Sequence, residues 1–414
     1  MEKFAVFVVV ALAWGASGTA LAQEGSADGG GPRDLVIVAG GDVAWPQGWL
    51  EATVVEARPR IFAALSPFLG RADLAFANIE SPLSLSEQRA VKTYSLVMHP
   101  KRLQWMIDAG FNLFSLANNH TNDAGEGGVF DTIAAVERAR EAGSVIWWSG
   151  AARRPAEVWA PTIFSPPGKS LKVAFLAFGE AQSALVPYPM AEKAVEAVRD
   201  AARRADFVIV SVHSGLEYVH VPRKREASRH RDFIDAGADV VLGHHPHVVQ
   251  GVEVYGGGVI FHSLGNLSFA SRTRRHQKTG ALLYGMFPII EIKDGRLDRV
   301  EVVPLYVNNA EPLRVGGAVL KADTVVPQVL DGAFAEHVSA AIVDWTGQVP
   351  GISLASVDAL KISGGRVVID WDEARRFDAE ARAWRDRGQC RDLRGSSRRA
   401  TSRRDPCELP RRAP

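Results

Sequence analysis

At 414 residues the chain is long enough to bury a full core, in one large domain or two ordinary ones. Apolar residues make up 47% and charged residues 23%, the balance of an ordinary globular protein, and a net charge of +1 excludes an overall electrostatic bias toward nucleic acid. The charge is unevenly spread: residues 385–414 hold ten Arg against four acidic residues, a local +6 that leaves residues 23–384 at −5.

In chain order, Lys3, the apolar run 4–16 and the small-x-small triplet Ala20-Leu21-Ala22 read as a signal peptide over 1–22. The run is shorter than the ~20 residues a spanning helix needs, so the chain is expected to be exported to the periplasm or beyond, with an uncleaved anchor as the weaker alternative. A Gly-rich linker (23–33) leads to the main domain, expected over 34–308. Residues 34–42 form a short apolar run ending in Gly-Gly-Asp42, the pattern of a buried strand carrying a polar group at its end. The same unit recurs at 73–80, 111–120, 206–213 and 238–247. Between these runs, 54–69, 100–109, 128–142, 191–205 and 222–236 show apolar residues at helical spacing, and Gly110, Gly143 and Gly237 follow three of them. Strand–helix alternation predicts a largely parallel sheet covered by helices. Residues 158–178 read as a hairpin and 252–307 as a strand series, which predicts a second, partly antiparallel sheet. Residues 309–384 are expected to pack on the domain as an extension, and the Arg-rich tail 385–414 to be disordered. Cys390 and Cys407 both lie in that tail, so a disulfide there would brace nothing else.

The chemistry gathers at strand ends. Asp42, Glu80, Asn119, His120, His213, His245 and His247 each fall within a few residues of a predicted strand's C-terminus, where α/β sheets bind ligands. Each alone has a bland reading as a cap, a turn former or a structural imidazole; His220, His230, His262 and His276 are read that way. Taken jointly they offer the imidazole nitrogens and carboxylate oxygens that divalent transition metals prefer. His245-Pro246-His247 supplies two imidazoles from one loop, which the proline is expected to hold extended so that the rings diverge toward two ions.

Gly-Gly-Asp42, Ala77-Asn78-Ile79-Glu80-Ser81-Pro82-Leu83, Leu116-Ala117-Asn118-Asn119-His120 with Asp123, Val212-His213 with Glu217-Tyr218, Gly243-His244-His245-Pro246-His247 and Ser263-Leu264-Gly265-Asn266-Leu267 resemble, in order, the successive motifs of the CapA family of capsule and poly-γ-glutamate synthesis proteins. That family is similar to the calcineurin-like metallophosphoesterases. The resemblance implies an α/β fold, a metallophosphatase-like αββα sandwich of two mixed sheets flanked by helices, with two divalent ions (Mn, Zn or Fe). It implies that Asp42 and His247 hold the first ion, that Glu80 bridges, that Asn119, His213 and His245 complete the second, and that His120 stands over the substrate. Asn78, Asp123, Glu217 and Asn266 are implied as supporting or substrate-contacting residues, and His244 is an extra imidazole beside the pair, a supporting residue or an alternative ligand. Two positions depart from the wider superfamily's pattern: Ala44 stands where it has a histidine, and Glu80 where it has an aspartate.

Three functions fit this reading. The first is an exported hydrolase that uses metal-activated water on a phosphoester or another bond of an envelope polymer. The second is a non-hydrolytic component of poly-γ-glutamate or capsule production and export, and the third a metal-stabilised binding protein. The expected partner is a phosphoester or an anionic envelope polymer, with no nucleic acid; the basic tail also suits association with a membrane surface.

Overall fold

The computed structural model describes residues 31–271, 273–279, 283–307 and 310–371. The expected signal peptide, most of the linker, Cys390, Cys407 and the Arg-rich tail lie outside the described residues. Among these residues no helix is long and apolar enough to cross a membrane.

The chain first lays down β1 (Leu35–Ala44), β2 (Leu74–Ile79), β3 (Leu113–Ser115) and β4 (Trp147–Ser149), side by side and parallel. It then builds a second sheet from β5 (Thr162–Phe164), β6 (Val173–Gly179), β7 (Phe207–His213), β8 (Val240–His244), β9 (Val252–Tyr255) and β10 (Gly258–Phe261). Finally β11 (Asn266–Phe269) returns to pair parallel with β1. β12 (Tyr284–Lys293) and β13 (Arg296–Tyr306) extend the first sheet antiparallel on the other side of β1. β14 (Leu313–Val315) and β15 (Ala318–Leu320) form a separate ribbon, while β16 (Gln328–Val329), β17 (Leu360–Ser363) and β18 (Arg366–Ile369) complete the first sheet. Both sheets are mixed, ten-stranded and six-stranded.

Layering follows from which side of each strand is apolar. Ile37, Phe76 and Leu113 of the first sheet meet Phe175, Ile209 and Leu242 of the second in one core, with Phe76 edge-on to Phe175 at 5.9 Å between ring centroids. The alternate residues Val38 and Ala75 pack outward against Val54, Leu103, Met106 and Val136 of the helical segments. On the far side Val208, Val210 and Val212 pack against Val198 and Phe233 of helices Glu192–Ala202 and Lys224–Asp235. Strands buried on both faces carry near-continuous apolar runs, which is why the sequence shows runs rather than alternation here. The order is helices, sheet, sheet, helices.

Three expectations are corrected. The five polar-ended strands do not share one sheet: β1, β2 and β3 lie in the first, β7 and β8 in the second, and the site forms where the C-terminal ends of both parallel sets open on the same end of the sandwich. The strand series 252–307 is divided, with β9 and β10 in the second sheet and β11 to β13 in the first. The helix expected over 54–69 is two helices, Glu51–Ala57 and Ser66–Leu69, joined through a short 3₁₀ turn, because Pro59 has no N–H to continue the first.

Candidate metal centre

Asp42 is the centre of the construction. In register it lies between Asn78 of β2 and Asn266 of β11, and a bulge after it turns the strand. The preceding glycine is required: a Cβ on Gly41 would sit 1.9 Å from the carbonyl oxygen of Gly265, where β11 crosses. Asn78 Nδ2 donates to Asp42 Oδ1 at 2.7 Å, and the His245 amide reaches Asp42 Oδ2 at 3.4 Å. Burial pushes the Asp42 carboxyl up, but His244, His213 and His247 around it outweigh that and hold it well below the usual range.

Glu80, just past β2, is fully buried, and neither of its oxygens has a hydrogen-bond partner. Burial raises its carboxyl well above the usual range, and Asp42 adds to the rise. A buried carboxylate without partners is strongly unfavourable unless it is protonated or joined by a cation. Donors to such a cation surround it. Asp42, Glu80 and His247 each place one ligand atom within 4.8 Å of the others. His247 Nε2 and His213 Nε2 each lie 3.6 Å from Glu80 Oε1. His213 Nε2 also lies 2.9 Å from Asn119 Oδ1 and 3.1 Å from His245 Nδ1. Neighbouring donors around one ion with bonds of ~2.0–2.2 Å stand ~2.9–3.6 Å apart, so these spacings fit a metal. All six residues expected as ligands are brought together.

The two loop histidines arrive in an unexpected way. His245 and His247 have φ of 96° and 57°, left-handed conformations that side-chain-bearing residues adopt only under constraint. The loop is therefore not held extended by Pro246. It is coiled, and the rings end 6.2 Å apart at 45° to one another. Asn266 Oδ1 lies 3.0 Å from His247 Nδ1, which assigns the proton there and leaves Nε2 bare toward Glu80. Burial holds His213 well below its usual range and pushes His245 down to about 4, so both rings are neutral at pH 7, the form a metal ligand requires.

His120 stands beside the cluster, with Nε2 3.8 Å from Glu80 Oε1 and Nδ1 2.6 Å from Asp123 Oδ2. Asp123 is fixed in turn by the Leu96 amide at 2.6 Å and by Lys92 Nζ at 2.5 Å. Burial lowers the His120 imidazole, and Asp123 opposes the fall. His244 is fully buried, with Nδ1 3.3 Å from Asp42 Oδ1 but no hydrogen bond to either ring nitrogen. Glu217 is half-buried and pairs with Arg275 at 3.4 Å, on the rim of the cluster.

Four residues of the surround are not among the expected site residues, and one of them, His276, is read from the sequence as structural. Lys92 holds Asp123 and also the Asn119 carbonyl oxygen at 2.9 Å. Tyr218 lies parallel to the His247 ring at 6.1 Å, and its hydroxyl meets His276 Nε2 at 3.0 Å. The Arg275 guanidinium lies 5.0 Å over the Tyr218 ring. Tyr218 falls inside one of the recognised motifs; Lys92 stands in an irregular stretch, and Arg275 and His276 lie on a short polar helix, Arg274–Thr279, within the residues read as a strand series, so no pattern marks them.

The chain is 30% identical over 278 residues to the capsule biosynthesis protein CapA of Bacillus anthracis, an alignment covering 63% of this chain and 64% of that one. It is 29% identical to the PGA biosynthesis protein CapA of Bacillus subtilis (strain 168), over 65% of this chain and 70% of the relative. A probable polyglutamine synthesis accessory protein of Mycobacterium tuberculosis is 27% identical, over 57% and 66%. The chain thus spans somewhat less than two thirds of the length of the Bacillus anthracis relative. The family model for the bacterial capsule synthesis protein PGA_cap matches residues 36–271, which is more than half of the chain and includes every residue of the centre, so the chain belongs to that family.

Proposed function

We propose that the chain is an exported, metal-dependent hydrolase serving capsule or poly-γ-glutamate production, and that it cleaves a phosphoester or a related bond of an envelope polymer. The observation that carries this reading is the buried, unpaired Glu80 carboxylate ringed by Asp42, His213 and His247, with His120 held alongside. Asp42, Glu80 and His247 would hold one ion, and Asn119, His213 and His245, sharing Glu80, a second. When bound, such ions lower the pKa of water and polarise the oxygen of the bond to be broken. The chain's own groups do the rest. Asn78 orients Asp42, and Asn266 fixes the His247 tautomer that leaves Nε2 free as a ligand atom. His120 Nε2 is the atom placed to hand a proton to the leaving oxygen, and Asp123 at Nδ1 stabilises the imidazolium this requires. Lys92 keeps Asp123 in place.

The names of the relatives, a biosynthesis protein and an accessory protein, favour a second reading in which the same centre handles polymer without cleaving it. Turnover of p-nitrophenyl mono- and diesters by the purified protein, with and without added Mn²⁺ or Zn²⁺, separates the two. Metal-dependent hydrolysis that is lost in His120→Ala supports the first. A protein that binds metal and turns over neither ester favours the second.

A further inference from the structure

Behind the loop carrying His245 and His247, the second sheet buries a line of ionisable groups that the proposed chemistry does not use. Arg231 Nε donates to Glu253 Oε1 at 2.8 Å, and Glu253 Oε2 lies 3.0 Å from His262 Nε2. His262 Nδ1 lies 3.1 Å from His230 Nδ1. Glu253, His262 and His230 are 2%, 1% and 2% exposed. The carboxylate sets the direction of each proton. His262 donates to it from Nε2, which leaves Nδ1 as a lone pair, so His230 donates from Nδ1. Burial holds His230 well below its usual range, consistent with a neutral ring at this place.

The line ends on the segment 262–264, and that segment touches both ends of the metal-ligand loop. At the loop's entry the Leu264 amide donates to the Gly243 carbonyl at 2.9 Å, and a Cβ on Gly243 would meet His262 O at 2.0 Å. At its exit the His262 amide donates to Gly251 O at 3.0 Å, the Gln250 amide to Ser263 O at 3.1 Å, and Ser263 Oγ to Val248 O at 2.8 Å. Between these clamps lie His245 and His247 in left-handed conformations, which persist only where the surroundings over-determine them. We propose that Glu253, His262 and His230 are positioning residues: they anchor the segment 262–264, which grips the loop at both ends and sets where His245 and His247 present their ring nitrogens to the metals.

This rests on the metal reading above, and Co²⁺ uptake tests the two separately. Affinity is measured by competition with a chelator, and the visible absorption bands of bound Co²⁺ report ligand geometry. In Glu253→Gln the side chain keeps its shape, but an amide N–H faces either Arg231 or His262 Nε2–H, so the proton order fails without opening a cavity. His230→Gln cuts the far end of the same line and serves if the first variant does not fold. Each is expected to bind Co²⁺ about tenfold more weakly, with displaced bands, the range seen when support around metal ligands is lost. Ser339→Ala removes a buried hydrogen bond to Gly365 O, on a different element, and controls for general loss of stability; it should bind as wild type does. Wild-type affinity and bands in both brace variants, or an equal loss in Ser339→Ala, overturns the brace. A wild-type protein that takes up no Co²⁺ overturns the metal reading, and the brace falls with it.

Discussion

Glu80 is where burial and chemistry conflict most sharply. Its carboxyl is sealed from water without a single hydrogen bond, and Asp42 adds a second negative charge nearby. In the metal-free protein that arrangement is a burden on the fold, and a bound cation turns it into an asset. Glu80→Gln is therefore expected to abolish metal uptake without lowering the melting temperature of the metal-free protein; elemental analysis beside thermal melting checks it, and a lower metal-free melting point would contradict the account. His245 and His120 differ in kind. His245→Ala should lose bound metal together with activity, whereas His120→Ala should keep its metal and lose roughly 10²–10⁴-fold in turnover, the usual contribution of a positioned acid or base. Equal metal loss in both would show that His120 is a ligand. These residues were legible because each ends an apolar run and because the runs recur. Lys92, Arg275 and His276 were not, since a side chain reaching in from an irregular segment, or from a short helix with no apolar face such as Arg274–Thr279, leaves no periodic trace.

Among the elements, β1 and the strand-to-loop transitions carry the site, and their tolerances are narrow. Gly41→Ala would drive a methyl group to 1.9 Å from the Gly265 carbonyl, a backbone atom that cannot turn aside, so β1 and β11 would have to separate. The expected loss is about 3 kcal/mol, at the upper end for overpacking a core, read from equilibrium denaturation; a change below about 1 kcal/mol would mean the crossing is more plastic than its geometry. Strand identity was readable for the same physical reason that sheet membership was not. A strand buried on both faces is apolar throughout, so 34–42 and 206–213 look alike although one lies in each sheet. What assigns them is the order of crossovers, which pattern alone does not fix. Pro59 was visible in the sequence, yet the three-to-four spacing through 54–69 masks a break that the missing N–H enforces. The coiled path at His245 and His247 was likewise hidden, because a His-Pro-His triplet suggests extension and only the clamps on either side of it force the opposite.

Over the whole molecule, the buried histidines and Glu80 tilt stability in opposite directions with pH. His213, His230 and His245 are held by burial below their usual value, so in acid the unfolded chain takes up protons that the folded chain refuses. Their contribution is intact above the unfolded imidazole value of about 6.5 and is lost as pH falls below it. Glu80 acts the other way: its folded value lies above that of the unfolded chain, so the unfolded state releases its proton first and stability declines as pH rises from the ordinary carboxyl range toward that raised value. A metal bound at this site removes the second penalty, because the ion replaces the proton on Glu80, and it competes with protons for the imidazoles. The rise in melting temperature on adding saturating Mn²⁺ or Zn²⁺ should therefore be small at pH 5.5 and grow toward pH 8, while the metal-free protein melts lower at pH 5.5 than at pH 7. Differential scanning fluorimetry across that range, with and without metal, makes the comparison. A metal-induced shift of equal size at both ends would mean that the ion binds away from the buried Glu80 and histidine cluster, and would remove the physical basis for a metal centre at this end of the sandwich.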